Sequence, residues 1–392
     1  MKLKKWMLIG GVVMLTAFTA AGCGTENKEN DKNNKQGSSV SPAAVEEKGS
    51  RILKEAFAED FTVGVAVNMG ALNDSDRMSS VCSHFNSITM ENEMKPDSLL
   101  DGAASEKSSD GMPEINTKKL DQILSRAKEN NIPLRGHTLV WHNQTPDWFF
   151  SKDYEPSKGL AGKDEMRKRM EAYIKKVLTY CQENYPGVVY AWDVVNEAMA
   201  DEGGCRTKSR WYDIYGDESY IEDAFTFARK YADPEVKLFY NDYNEYMPAK
   251  REMITATVKK LKEKGVLDGV GMQSHWDMDY PTTDLIDAAL EKYGAIEGLE
   301  IQLTEIDMHN TDDSEEGLKA QADRYKEFFQ TILRADRTGK ANITNVTFWG
   351  ITDEDSWLTN FKGETSYPLL FQGEMEKKPC YDSILEAAGE SY

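Results

Sequence analysis

At 392 residues, 40% of them hydrophobic, the chain is long enough for one large buried core, and no internal repeat divides it. Asp and Glu outnumber Lys and Arg by 67 to 47, and the formal charge of -20 repels phosphate backbones and anionic membrane surfaces, which excludes nucleic acid as a partner and favours a neutral substrate. Five cysteines without CxxC spacing and five scattered histidines without an HExxH cluster give no basis for a metal site, and no cofactor is called for.

In chain order, Lys2, Lys4 and Lys5 precede an apolar run over residues 6–22 that stops at Cys23. The run is short for a bilayer span and lacks a basic stop-transfer flank, so residues 1–22 read as a secretion signal. Ala20-Ala21-Gly22-Cys23 resembles a bacterial lipoprotein processing site, with Ala20 where leucine is usual. That resemblance implies lipidation of Cys23 and an extracellular protein held on the outer face of the cell membrane by its lipid anchor alone. Residues 24–50, rich in Asn, Lys, Glu and Ser, bury too little to offset their ordering entropy and read as a flexible tether.

Residues 51–392 read as a single catalytic domain. Short β-branched or aromatic runs, at 62–67, 85–89, 133–138, 189–195, 236–241, 270–273, 300–304 and 346–349, alternate with amphipathic stretches such as 117–130, 164–184, 248–264 and 317–337. Close to eight such pairs predict an α/β fold, a (β/α)8 TIM barrel. The competing doubly wound sheet calls for a GxGxxG turn after its first strand, and the chain has Asn68-Met69-Gly70-Ala71-Leu72 there.

Polar residues gather where these strands end. Glu91, Asn92 and Lys95 follow the second, His137, Trp141 and His142 the third, and Asn196 and Glu197 the fourth. Asn241, Asp242, Tyr243 and Asn244 follow the fifth, Gln273 and His275 the sixth, Glu305 and Asp307 the seventh, and Trp349 the eighth. In a parallel barrel all these ends converge on the face that carries chemistry. Glu197 and Glu305 each close an apolar strand, and strands four and seven face each other across the mouth. Two carboxylates flanking a cleft suit acetal hydrolysis, and a separation of about 5 to 5.5 Å would suit a covalent, retaining route. The alternative is that both glutamates only cap helices.

Seven motifs in order resemble glycoside hydrolase family 10, the family of endo-1,4-β-xylanases, across residues 51–388. They include Phe85-Asn86-Ser87-Ile88-Thr89-Met90-Glu91-Asn92-Glu93-Met94-Lys95, Arg135-Gly136-His137-Thr138-Leu139-Val140-Trp141-His142 and Trp192-Asp193-Val194-Val195-Asn196-Glu197. Tyr240-Asn241-Asp242-Tyr243-Asn244, Gln273-Ser274-His275, Thr304-Glu305-Ile306-Asp307 and Trp349-Gly350-Ile351-Thr352-Asp353 complete the set. The resemblance implies hydrolysis of internal bonds in xylan or xylo-oligosaccharides with retention, Glu197 being acid/base and Glu305 nucleophile. It implies that Glu91, Asn92, Lys95, Trp141 and Gln144 hold the sugar two units to the non-reducing side of the cut. His137, Asn196, Gln273, His275 and Trp349 would hold the sugar at the cut, with Tyr243 and Trp357 adding aromatic surface. Trp148 fits either that role or the core. The chain departs from the family at Gln372, where an acid is common, and at Cys380, where a small residue is common; the polar stretch 97–113 is long for a loop beside the second strand.

The expected chemistry keeps Glu197 protonated through the negative charge of Glu305, has Asn196 contact the 2-hydroxyl, and has Asp307 fix His275 against the nucleophile. Asp307 as a helix-start cap is the alternative. The protein is expected to act as a monomer. Two rival readings are a related barrel glycosidase acting on β-glucan or cellulose and a non-catalytic glycan-binding lipoprotein. The pairing of Cys82, Cys181, Cys205 and Cys380, as disulfides or as buried thiols, is left open by the sequence.

Overall fold

The computed structural model describes residues 52–392. The expected secretion signal, the expected lipidation of Cys23 and the expected tether fall outside the described residues. Eight parallel strands form the barrel: β1 Thr62–Val67, β2 Ser87–Met90, β3 Leu134–Trp141, β4 Val189–Asn196, β5 Lys237–Asp242, β6 Gly269–Met272, β7 Glu300–His309 and β8 Ile343–Phe348. Each pairs with the next, and β8 pairs back onto β1 with Thr62 opposite Asn345, so the sheet closes and leaves no open doubly wound edge. A major helix follows each strand: α1 Ser75–His84, α2 Thr117–Glu129, α3 Lys163–Asn184, α4 Ser219–Tyr231, α5 Pro248–Glu263, α6 Thr283–Gly294, α7 Glu315–Arg337 and α8 Pro379–Ala388.

The local reasons are conventional. Strands covered on both faces are near-continuously apolar, as in Thr-Val-Gly-Val-Ala-Val of β1, where only Thr62 is exposed. Asp74, Asn116 and Ser314 cap α1, α2 and α7 by accepting backbone N–H bonds, and α5 and α8 start with proline, whose missing donor costs nothing there. Gly136 of β3 lies against the indole of Trp192, where a Cβ would come within 2.3 Å of the ring.

Two strands outrun their apolar stretches. β3 extends through Trp141 and β7 through His309, so His137, Trp141, Glu305 and Asp307 lie inside strands rather than beyond them. Their polar side chains find partners across the barrel, which lets the ladder continue. Stretch 97–113 is not an open loop: Leu100–Asp101 pairs antiparallel with Glu114–Ile115 around a short helix, Gly102–Ser105. All four cysteines in the described residues are free thiols. Where the chain closes on itself, Arg337 donates to both oxygens of Asp60 (2.7 and 2.8 Å) and to the carbonyls of Ala388 (2.9 Å) and Glu390 (2.6 Å).

Candidate active site

A cleft of about 690 Å³ crosses the C-terminal ends of the strands. Glu91, Asn92, Lys95, His137, Trp141, Gln144, Asn196, Glu197, Tyr243, Gln273, His275, Glu305, Asp307, Trp349 and Trp357, all singled out from the sequence, line it together. Glu197 follows β4 and Glu305 lies within β7, and neither starts a helix, so helix capping is not their role. Asp307 also lies in β7 and caps nothing.

Three amides join the two glutamates. Asn241 Nδ2 donates to Glu305 Oε1 (2.8 Å) and to Asn196 Oδ1 (3.0 Å), while Gln273 Nε2 donates to Asn196 Oδ1 (3.2 Å) and Glu197 Oε1 (3.1 Å). Thr304 Oγ1 fixes the orientation of Asn241 by donating to its Oδ1 at 2.7 Å. Trp141 Nε1 donates to the second oxygen of Glu197 at 2.9 Å. His275 donates from Nδ1 to Asp307 at 2.8 Å, its Nε2 stands 3.3 Å from Glu305, and Asp307 also accepts from Trp357 Nε1 at 2.9 Å.

These surroundings separate the two carboxyls. Burial raises the proton affinity of Glu197 and the charge of Asp242 raises it further, against the hydrogen bonds from Gln273 and Trp141; the charge of Glu305 is a smaller contribution. The expectation that Glu305 keeps Glu197 protonated is therefore corrected: desolvation comes first and Asp242 second. Burial acts on Glu305 too, but the hydrogen bond from His275, the positive potential of His137 and His275 and the Asn241 donor outweigh it and hold the carboxyl at about 2. Burial opposes charging of His275, yet the adjoining Asp307 and Glu305 push its pKa up. Two carboxyls shifted in opposite directions thus face the same cleft. Nearby, burial holds His142, whose Nε2 is 4.0 Å from Glu197, down at about 4.

Four non-glycine residues adopt left-handed backbone at this face: Gln144 after β3, Glu197 after β4, Asn244 after β5 and Ser274 after β6, with φ of 41°, 56°, 51° and 65°. Each such residue costs about 1–3 kcal/mol, and such strain clusters where side chains are aimed at a site.

At the β2–β3 side, Lys95 Nζ donates to Asn92 Oδ1 (3.0 Å) and sits 5.0 Å from the centre of the Trp141 ring, and Gln144 Nε2 donates to the same Asn92 oxygen (3.3 Å). Burial lowers the pKa of Lys95 and raises that of Glu91. Beneath, His137 Nδ1 bonds Asp193 at 2.8 Å, and Asp193 also pairs with the buried Arg135. On the opposite side the fully buried Lys250 lies 2.8 Å from Asp242 and 3.5 Å from the Tyr243 ring centre, and Arg206 Nη2 donates to the Tyr243 hydroxyl at 2.8 Å. Trp148 is outside the cleft lining and packs edge-on against Tyr154 and Phe149, so it belongs to the scaffold.

Among these, Asn241, Asp193 and Asp242 stand in the quoted motifs, which alone give them no role. Arg206 and Lys250 carry no sequence signal, because one comes from the long connection after β4 and the other from the first turn of α5.

The model of the family described as Glycosyl hydrolase family 10 matches residues 52–387. Endo-1,4-beta-xylanase B of Butyrivibrio fibrisolvens is 48% identical over 340 residues, covering 86% of this chain and 53% of its own, so the chain spans about half the length of that relative. An endo-1,4-beta-xylanase of Geobacillus stearothermophilus is 40% identical over 346 residues, 84% of this chain and 96% of its own. Among solved structures, the N-terminal endo-1,4-beta-D-xylanase 10B modules of Clostridium thermocellum, complexed with xylohexaose, superpose with a TM-score of 0.78 at 40% identity, covering 86% of this chain and 67% of that one.

Proposed function

The chain belongs to glycosyl hydrolase family 10, and from that premise we propose that it hydrolyses internal β-1,4-xylosidic bonds of xylan with retention of configuration. The observation that carries the reading is a pair of carboxyls in one cleft with opposite surroundings: burial and Asp242 raise the proton affinity of Glu197, while His275 and Asn241 stand against Glu305 and lower its own. In the first step Glu305 attacks the anomeric carbon, the bond to the leaving sugar oxygen breaks, and Glu197 gives that oxygen its proton. The ester carries no charge, so Glu197 becomes a stronger acid and its conjugate base takes a proton from water. The water oxygen then displaces Glu305. Asn196 meets the 2-hydroxyl, and His275, oriented by Asp307, positions the nucleophile.

Glu91, Asn92, Lys95, Trp141 and Gln144 form the subsite two units to the non-reducing side, a polar set suited to ring hydroxyls. His137, Gln273 and Trp349 complete the subsite at the cut, with Tyr243 and Trp357 as aromatic surface. Trp349 and Trp357 select against the hydroxymethyl group of a hexose chain. Cleavage of xylan is followed by proton NMR: β-anomers at the new reducing ends before mutarotation support retention, and α-anomers sink it. Faster turnover of carboxymethyl cellulose than of xylan would reassign the substrate.

The N-terminal pattern supports export, and we extend the proposal to a lipid anchor at Cys23 on the outer face of the membrane and to a monomeric enzyme. Detergent partitioning of the full chain and of Cys23→Ala tests the anchor, equal partitioning counting against it. Sedimentation velocity tests the monomer.

A further inference from the structure

Glu197 is one of the residues held in left-handed backbone at the mouth of the barrel, and such a conformation persists only where its surroundings fix it. For two of the others the fixing is done by main chain: the Asp97 N–H donates to the carbonyl of Gln144 at 2.8 Å, and the Met247 N–H to that of Asn244 at 2.9 Å. At Glu197 a side chain takes that place. Arg206 Nε donates to the Glu197 carbonyl at 2.9 Å, while the Glu197 N–H is held by the carbonyl of Asn241 at 2.9 Å.

The rest of the guanidinium is engaged as well. Arg206 Nη2 donates to the Tyr243 hydroxyl at 2.8 Å and to the Met199 carbonyl at 3.4 Å, so one rigid fork joins the end of β4 to the end of β5. The chain delivers the arginine there through a closed loop. Met199 bridges to Cys205, Ala200 accepts the N–H of Gly203 and donates to Gly204, and the Arg206 N–H donates to the Ala198 carbonyl at 2.7 Å. Gly203 and Gly204, with φ of 90° and 87°, allow the turn. The loop thus leaves the barrel at Glu197 and returns to grip it nine residues later.

We propose that Arg206 is the positioning residue of the acid/base: by holding the Glu197 carbonyl and the Tyr243 hydroxyl together, it keeps the left-handed turn that aims the Glu197 carboxyl into the cleft. The assignment rests on the proposed role of Glu197 in xylan cleavage. Without the fork the carbonyl loses its partner, the turn relaxes and the carboxyl no longer meets the leaving oxygen, whereas Glu305 on β7 stays where it is.

The test measures kcat/KM of the full chain, Arg206→Met and Arg206→Lys on two substrates. Xylohexaose has a leaving sugar oxygen that needs a proton, and 2,4-dinitrophenyl β-xylobioside has a leaving group that departs without one. Arg206→Met is expected to lose about 10²-fold on xylohexaose and less than about threefold on the dinitrophenyl substrate. Arg206→Lys keeps the charge but cannot span both acceptors, and is expected to lose about tenfold on xylohexaose alone. Unchanged xylohexaose kinetics in Arg206→Met, parent-level kinetics in Arg206→Lys, or equal losses on both substrates in a variant with the parent's urea midpoint would overturn the assignment. If Arg206→Met does not fold, the same comparison in Arg206→Lys decides. Failure of the parent protein to cleave either substrate would instead overturn the activity beneath it.

Discussion

The imidazole Nε2 of His275 lies 3.3 Å from a carboxylate oxygen of Glu305. Behind it, Asp307 accepts hydrogen bonds from Nδ1 of His275 and from the indole N–H of Trp357, so a polar chain runs from the loop after β8 to Glu305. His275→Ala removes the hydrogen bond that most lowers the pKa of Glu305, which then rises. The acid limb of kcat/KM is expected to move to higher pH, and kcat to fall by about 10²–10³, the cost typical of one lost electrostatic partner. A pH–rate profile with an unmoved acid limb would refute this coupling.

With Glu197 as the proposed acid, the alkaline limb is expected to report its pKa, raised by burial and by Asp242 and held back by its donors. Trp141→Phe deletes the 2.9 Å donor, which favours the ionised form, so the pKa of Glu197 goes up and the alkaline limb moves to higher pH. A shift to lower pH in the kcat/KM profile would contradict the assignment.

Asn241 donates to Glu305 and to Asn196, whose oxygen also accepts from the Gln273 amide that reaches Glu197. Asn241→Asp sets a second carboxylate where an N–H now stands 2.8 Å from Glu305. Like charges there raise the acid limb, and kcat is expected to drop by about 10² or more while KM changes little. Steady-state kinetics that change only KM would rule it out.

Lys250 and Asp242 are both fully buried and 2.8 Å apart. Lys250→Met strands the carboxylate, which is expected to cost about 3–5 kcal/mol in urea unfolding. Adding Asp242→Asn to that variant should recover part of the loss, and a Lys250→Met protein as stable as the parent would show that the charge is not trapped.

The barrel was legible because strands covered on both faces write themselves as apolar runs, and the site was legible because polar groups interrupt those runs at one end. What stayed hidden depends on folding in three dimensions. Lys250 looks like an ordinary surface lysine of α5 until α5 packs and seals it against Asp242. The sequence points to Glu305 as what raises the proton affinity of Glu197, because burial, the larger cause, exists only in the folded chain. Trp148 fits cleft or core equally well in the sequence, and only packing against Tyr154 and Phe149 decides for the scaffold. Arg206 sits in a connection without any motif, and the carbonyl and hydroxyl it grips come within its reach only once β4 and β5 lie side by side.

Arg337 holds Asp60 together with the carbonyls of Ala388 and Glu390, so the beginning and end of the barrel are neighbours. A short peptide could join them at little cost in loop entropy, making the barrel a ring. Cutting that ring at another exposed connection would let the strands be synthesised in rotated order while each kept its partners. The cleft belongs to the circle of strands rather than to the place where the chain happens to start.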